Sequence, residues 1–368
     1  MKRVYTLNES EFRRLIRREV LAMSRGSRSR FFDRLFEADG EALKDLDVSK
    51  GPSEIIKFLN GPGADKRVRA LLAAGTEDGA PDDEAAQVGQ TSKTIGDLQP
   101  TQIEIELTKS IGFPLAKFDS LKKMISGGVQ RVGPEGNDMI VTSGDLIIDG
   151  HHRWSSLFSV AGPAGQIAAI DVVLPEKDAA SVLAIVQAAI ASTLKGGQKV
   201  PAAKAGGMNI LGKSKDEIAK LIEAAYESGE GEAGPILTDE YISKCMVDPQ
   251  VNKHFGIQEA NIAGPVRNES HLRGSLLEKK GKFGGKYGDR NNILSARSLI
   301  IDKVSENLSQ MNPPADGAPP RLDMPQLDKA EGGVQGALDN LATGKVNYKA
   351  PFGESVERWQ RLAGILKG

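Results

Sequence analysis

The run Leu146-Ile147-Ile148-Asp149-Gly150-His151-His152-Arg153-Trp154 narrows what this chain can fold into more than any other stretch. A short apolar run that ends at Asp-Gly reads as a buried strand delivered into a tight turn. The residues after the turn have helical spacing, so His151, His152 and Arg153 open a helix. Residues 138–142 read as a partner strand, with Ser143-Gly144-Asp145 as the hairpin turn. Further apolar segments follow, a strand at 167–174 and a long helix at 178–194. Strands and helices mix without a regular βαβ repeat, which predicts an α+β domain with a mixed sheet over residues 93–196.

Around that block the spacing predicts helical extensions. Residues 1–74 form a basic segment with helices at 8–21, 31–36, 52–59 and 65–74. Ten basic and four acidic residues fall within its first 35 positions. Residues 75–92 are polar, acidic and aperiodic, and read as a linker. Residues 197–311 read as a helical, loop-rich region with helices at 214–226, 239–247 and 292–311. Residues 312–368 read as an extended Pro-rich arm with a short helix at 334–341, closing on an amphipathic helix at 355–366.

Composition excludes several classes. With 48 Lys+Arg against 49 Asp+Glu the chain lacks the overall basic field of a dedicated duplex-DNA binder. One cysteine, Cys245, rules out an intramolecular disulfide framework and any multi-cysteine metal site, and it reads as a small core residue. There are four histidines, two of them side by side at the turn, while His254 and His271 stand apart and read as structural or solvated. No apolar run reaches the roughly 18 residues that a membrane span needs, and the first 23 residues lack a secretory pattern. The expectation is a cytoplasmic protein with no membrane partner.

The turn itself reads as an anion site. A helix N-terminus offers unpaired N–H groups and the positive end of the helix dipole, Gly150 allows close backbone approach, and Arg153 brings a planar fork suited to phosphate. His151 and His152 beside Asp149 are proton-transfer candidates. A structural alternative stands next to this one: His151 packs, and Arg153 pairs with Asp149.

The string Ile148-Asp149-Gly150-His151-His152-Arg153 resembles the signature turn of the ParB/sulfiredoxin-like superfamily. Ile95-Gly96-Asp97-Leu98-Gln99-Pro100-Thr101-Gln102-Ile103-Glu104 is similar to the strand and Leu-x-Pro-x-x-Ile turn that precede it in that group. The resemblance covers residues 93–175, under a quarter of the chain. It implies a small α+β fold and nucleotide-dependent phosphoryl transfer, nucleotide hydrolysis or nuclease activity. His151 stands where sulfiredoxins carry cysteine, so sulfinic-acid reduction is disfavoured. The Glu-Arg-Arg turn and helix-turn-helix of partition proteins are not recognisable. The kinase-like and phage-encoded members are the most similar.

For phosphoryl transfer the resemblance implies these roles. Gly150, His152 and Arg153 hold phosphate, and Glu104, in preference to Glu106, acts as general base or binds Mg²⁺ or Mn²⁺. Asp149 binds the metal or orients a histidine, Gln102 reaches a base or ribose, and Trp154 anchors the helix or walls the nucleotide pocket. The implied ligand is a nucleoside di- or triphosphate. In the nuclease alternative His151 and His152 with a carboxylate-bound metal cut phosphodiesters. The Gly/Lys loop at 278–290 reads as a flexible surface loop or as a nucleic-acid contact, with Lys282 and Lys286 neutralising phosphates and Phe283 and Tyr287 stacking on bases. In a third reading the chain is a phage virion protein with an inactive domain, self-assembling or joining a particle through its terminal helices.

Overall fold

Strand alternation sets the layers of the fold. In the computed structural model the described residues are 51–60, 86–174, 178–194, 198–204, 207–229, 234–257 and 290–344. In chain order their elements are α1 (Pro52–Asn60), β1 (Gln87–Thr94), β2 (Gln99–Pro100), α2 (Leu107–Ala116), α3 (Phe118–Ile125), β3 (Val129–Gln130), β4 (Ile140–Ser143), β5 (Leu146–Asp149), α4 (His151–Ala161), β6 (Gln166–Val173), α5 (Ala179–Thr193), α6 (Lys215–Ser228), α7 (Asp239–Val247), α8 (Pro249–His254), α9 (Arg290–Leu308) and α10 (Gly333–Ala342). The helices predicted at 8–21, 31–36, 65–74 and 355–366 lie outside the described residues, as do most of the linker and the Gly/Lys loop.

The sheet runs β1-β6-β4-β5-β2, with β3 pairing the start of β6. It is mixed: β1–β6 and β4–β5 are antiparallel, whereas β6–β4, β6–β3 and β5–β2 are parallel. Successive side chains on a strand face opposite ways, and here both faces are buried. Ile140, Ile147, Ile167 and Ala169 point into one core with Trp154, Leu157 and Phe158 of α4. Their neighbours Val141, Ile148 and Val172 point into a second core with α5, Ile55 of α1, and Leu338 and Leu341 of α10. A sheet covered by helices on both faces explains why β5 reads as an uninterrupted apolar run.

The first core continues into residues of α6, α7 and α9. Helix α6 starts with a capping box between Ser214 and Glu217. Arg297 of α9 is fully buried, pairs with Asp239 at 2.7 Å, and lies over the Tyr226 ring at 4.3 Å. Cys245 is a core residue whose thiol is pushed up to about 12 by burial. No helix among the described residues is long and apolar enough to cross a membrane.

Two predicted boundaries move. Strand β1 begins at Gln87, inside the stretch read as a linker, and ends at Thr94, so residues 95–97 form a 3-10 turn in place of a strand. The strand is polar and largely exposed, held by its backbone ladder to β6, and therefore has no hydrophobic period to read. The Pro-rich segment is irregular, yet it is pinned to the sheet. Asn312 donates to the carbonyls of Gly96 and Leu98, Ala315 N–H to Pro100 O, and Ile103 N–H to Pro319 O.

Trp154 links the layers: it is fully buried, donates from Nε1 to Ile95 O at 2.8 Å, and stacks edge-on against Phe158. Trp154→Ala is expected to lower the unfolding free energy by about 3–5 kcal/mol, measured by urea denaturation. A loss under about 1 kcal/mol would show that α4 is not anchored through this side chain.

Candidate functional site

Three stretches of chain converge on the β5–α4 turn. The first is the turn itself. Gly150 has φ +91°, a left-handed conformation that glycine adopts freely, and a Cβ there would meet Ile140 Cγ2 and Arg153 Nε at 2.8 Å. With glycine as the N-cap no side chain caps α4, and its first turn carries no acidic residue. The helix start therefore keeps its donors and positive dipole end.

The second stretch is the loop from β2 to α2. Thr101 N–H donates to His151 Nε2 at 3.1 Å, and the Thr101 hydroxyl donates to Ile147 O. An imidazole nitrogen that accepts from a backbone N–H carries no proton, so His151 is neutral, with its hydrogen on Nδ1. Burial, followed by the charges of His152, Arg153 and Arg321, lowers its pKa to about 3. Gln102 is 4% exposed, and its Nε2 has no hydrogen-bond partner. Glu106 caps α2, its Oε1 accepting from the Thr108 hydroxyl.

The third stretch was not anticipated. Arg321 comes from a 3-10 turn (Arg321–Asp323) that follows the pinned Pro-rich segment. It is 9% exposed, and its Nη1 lies 3.9 Å from Glu106 Oε2, beyond hydrogen-bond reach. That nitrogen has no hydrogen-bond partner. His152 completes the group: its Nε2 is buried and unpartnered, and burial together with the nearby Arg321, Lys109 and Arg153 lowers its pKa to about 3.

The predicted site residues thus divide. Gln102 and His152 present unpartnered nitrogens, as a binding role requires. His151 is committed to Thr101 and is a positioning group. Arg153 is partly committed: Nη1 donates to Asn137 Oδ1 at 2.7 Å and Nη2 to Asp149 Oδ2 at 2.5 Å, while its buried Nε has no hydrogen-bond partner. The structural alternative read from the sequence describes these two side chains. Glu104 is half-buried and makes no ion pair among the described residues, whereas Glu106 faces Arg321. Trp154 is a core anchor and not a pocket wall. Lys282, Lys286 and Tyr287 lie outside the described residues. No three His, Cys, Asp or Glu side chains gather among the described residues, and Asp149 Oδ2 accepts from Arg153.

No signal in the sequence marks Arg321, which lies about 170 residues beyond the turn. The only local feature is Pro319-Pro320, a stiff pair just ahead of the 3-10 turn that Arg321 opens. No protein-family model matches the chain, and no curated protein or solved structure matches it.

The neutral histidines fix a pH dependence. Between pH 6.5 and about 3 the unfolded chain binds protons at these positions that the folded chain does not. Stability therefore falls as pH falls through this window, by at most about 1.4 kcal/mol per pH unit for each histidine. Urea denaturation at several pH values should give a shallower slope for His151→Gln than for wild type. Equal slopes would mean that His151 already carries a proton in the folded state.

Proposed function

We propose that the protein binds a phosphorylated ligand at the β5–α4 turn and transfers or hydrolyses its terminal phosphoryl group. The observation that carries this reading is the set of buried, unpartnered nitrogens on Gln102, His152 and Arg321 beside an uncapped helix start. Leaving such groups unpaired costs about 1–3 kcal/mol each, a cost that an oxyanion accepting from them would offset. Lys109 and Arg321 lend positive charge to the same place. The resemblance to the ParB/sulfiredoxin-like superfamily favours a nucleoside di- or triphosphate as the ligand. It also favours that group's small α+β fold for residues 93–175.

In this reading His152 and Gln102 contact phosphate oxygens, and the α4 backbone N–H groups complete the cradle. The acceptor oxygen, that of water in hydrolysis, attacks the terminal phosphorus as the bond to the bridging oxygen breaks. The acceptor's proton passes to Glu106, the carboxylate that faces Arg321. The Arg153–Asp149 pair and His151 hold the turn rigid. Mg²⁺ enters only as the companion of the nucleotide's phosphates, and no step is assigned to it.

No geometric observation favours the nuclease reading, which rests on His151, His152 and a carboxylate-bound metal, since His151 Nε2 accepts from Thr101 N–H. The virion reading rests on the terminal helices, outside the described residues. The test is binding and turnover of ATP, CTP and GTP with Mg²⁺. Wild type is expected to bind at least one of them. His152→Ala and Gln102→Ala are each expected to weaken binding about tenfold, the loss of one hydrogen bond to a charged group. Binding of none of the three, with no turnover, would overturn the proposal.

A further inference from the structure

We propose that Arg321 is a phosphate-binding residue supplied in cis by the C-terminal segment 312–323, and that a phosphorylated ligand fastens this segment across the site. The inference rests on the phosphate reading above and adds to it the residue that contacts the ligand from the opposite wall.

The first observation is the state of the guanidinium. Arg321 is nine-tenths buried with an unpartnered Nη1, and buried arginine nitrogens are ordinarily hydrogen-bonded. Its nearest carboxylate cannot close on it. Glu106 is held from two sides: Oε1 accepts from the Thr108 hydroxyl, and the backbone at Gly207 comes so near that a Cβ there would lie 2.8 Å from Oε1. The pair therefore rests at 3.9 Å, attracted but not bonded. A tetrahedral oxyanion between Arg321 and His152 would supply the acceptors that Glu106 does not. Arg153, the arginine expected to do this, already donates to Asn137 and Asp149.

The second observation is how the segment is attached. Its upstream half is bound to the sheet by Asn312 and Ala315, and Pro319 O accepts from Ile103 N–H, next to Gln102. Downstream, Asp323 accepts from Ser53 at 2.7 Å. Between these anchors only Arg321 reaches toward the turn. Its neighbour Leu322 is exposed, as are Ile103 and Met208 on the other two segments that meet here. Asn209 donates to Ile103 O, which brings Met208 to the same rim.

The test uses the full chain with pyrophosphate as probe, reading affinity by calorimetry and amide exchange over residues 312–324. Wild type is expected to bind, with slower exchange in that segment when pyrophosphate is present. Arg321→Gln should lose about tenfold in affinity, one charge-assisted contact. Arg321→Lys should lose less, because it retains the charge without the fork. Asn312→Ala loosens the segment at a distance from the site, and it should speed exchange while leaving affinity within about twofold, since it touches no ligand group. If wild type binds and His152→Ala does not, but Arg321→Gln binds normally, the role of Arg321 is overturned and the phosphate site stands. If Asn312→Ala weakens binding as much as Arg321→Gln, the guanidinium acts only by holding the segment, and direct contact is overturned. If wild type does not bind pyrophosphate, both readings fall.

Discussion

The hydrogen bond from Thr101 N–H to His151 Nε2 joins the two halves of the site, and much of its geometry depends on it. Thr101 leaves β2 and His151 opens α4, so the bond sets the distance between a strand exit and a helix start that lie 50 residues apart in sequence. It requires a neutral imidazole, because a protonated one has no lone pair to offer. Burial enforces that state. The Thr101 hydroxyl, bonded to Ile147 O, ties the same loop to β5. With the loop held on both sides, Gln102 falls beside the turn and Glu106 reaches the start of α2. A histidine that looks catalytic in the sequence thus accepts a backbone hydrogen bond that ties two loops together.

The site also departs from the usual economy of a folded interior. Elsewhere in the described residues many buried polar groups find partners, as Asn307 does with Ser159 O and Val160 O and Ser110 with Ser155, while Gln187 and Arg297 Nη1 stand as isolated exceptions. Around the turn Gln102, His152 and Arg321 each hold a nitrogen without a hydrogen-bond partner. Such groups are tolerated where local disorder is prevented by the rest of the fold, and here three anchors prevent it: Trp154 in the core, the Arg153–Asp149 pair across Gly150, and the pinned C-terminal segment. Stability given up at one place and supplied at others is the pattern expected of a binding site.

What was legible in the sequence follows from which forces act locally. The apolar runs of β4, β5 and β6 and the spacing of α4, α5, α6, α7 and α9 reflect burial that is continuous along each segment, so their existence could be read directly. Strand β1 could not be, because its place depends on backbone pairing with β6 and its side chains are polar. The turn was legible because Gly150, the adjacent histidines and Arg153 carry conformational and chemical information at one spot. Their division of labour was not. Whether a guanidinium turns outward to a ligand or inward to Asn137 and Asp149 is decided by a loop that no periodicity describes. The choice between Glu104 and Glu106 depends on the same kind of long-range placement. Only the placement of α2, with Glu106 as its N-cap, decides which of the two carboxylates turns toward Arg321.

The two arginines show why proximity in sequence to a motif is a poor guide to role. Arg153 lies one turn into α4, where its side chain folds back over Gly150, and the glycine is necessary partly because that guanidinium occupies the space a Cβ would take. Its partners come from segments fixed by the sheet, so its geometry is set whatever binds nearby. Arg321 opens a 3-10 turn after an irregular Pro-rich segment that is fixed on both sides, and its Nη1 has no hydrogen-bond partner. A charge that must reorganise little to meet a ligand is best placed on such a bridge. Its anchors limit how far it moves, while the absence of a bonded partner leaves no contact to break first. Rigidity at the turn and a guanidinium nitrogen without a hydrogen-bond partner across from it are therefore complementary: the first fixes the geometry, and the second leaves a donor to be met.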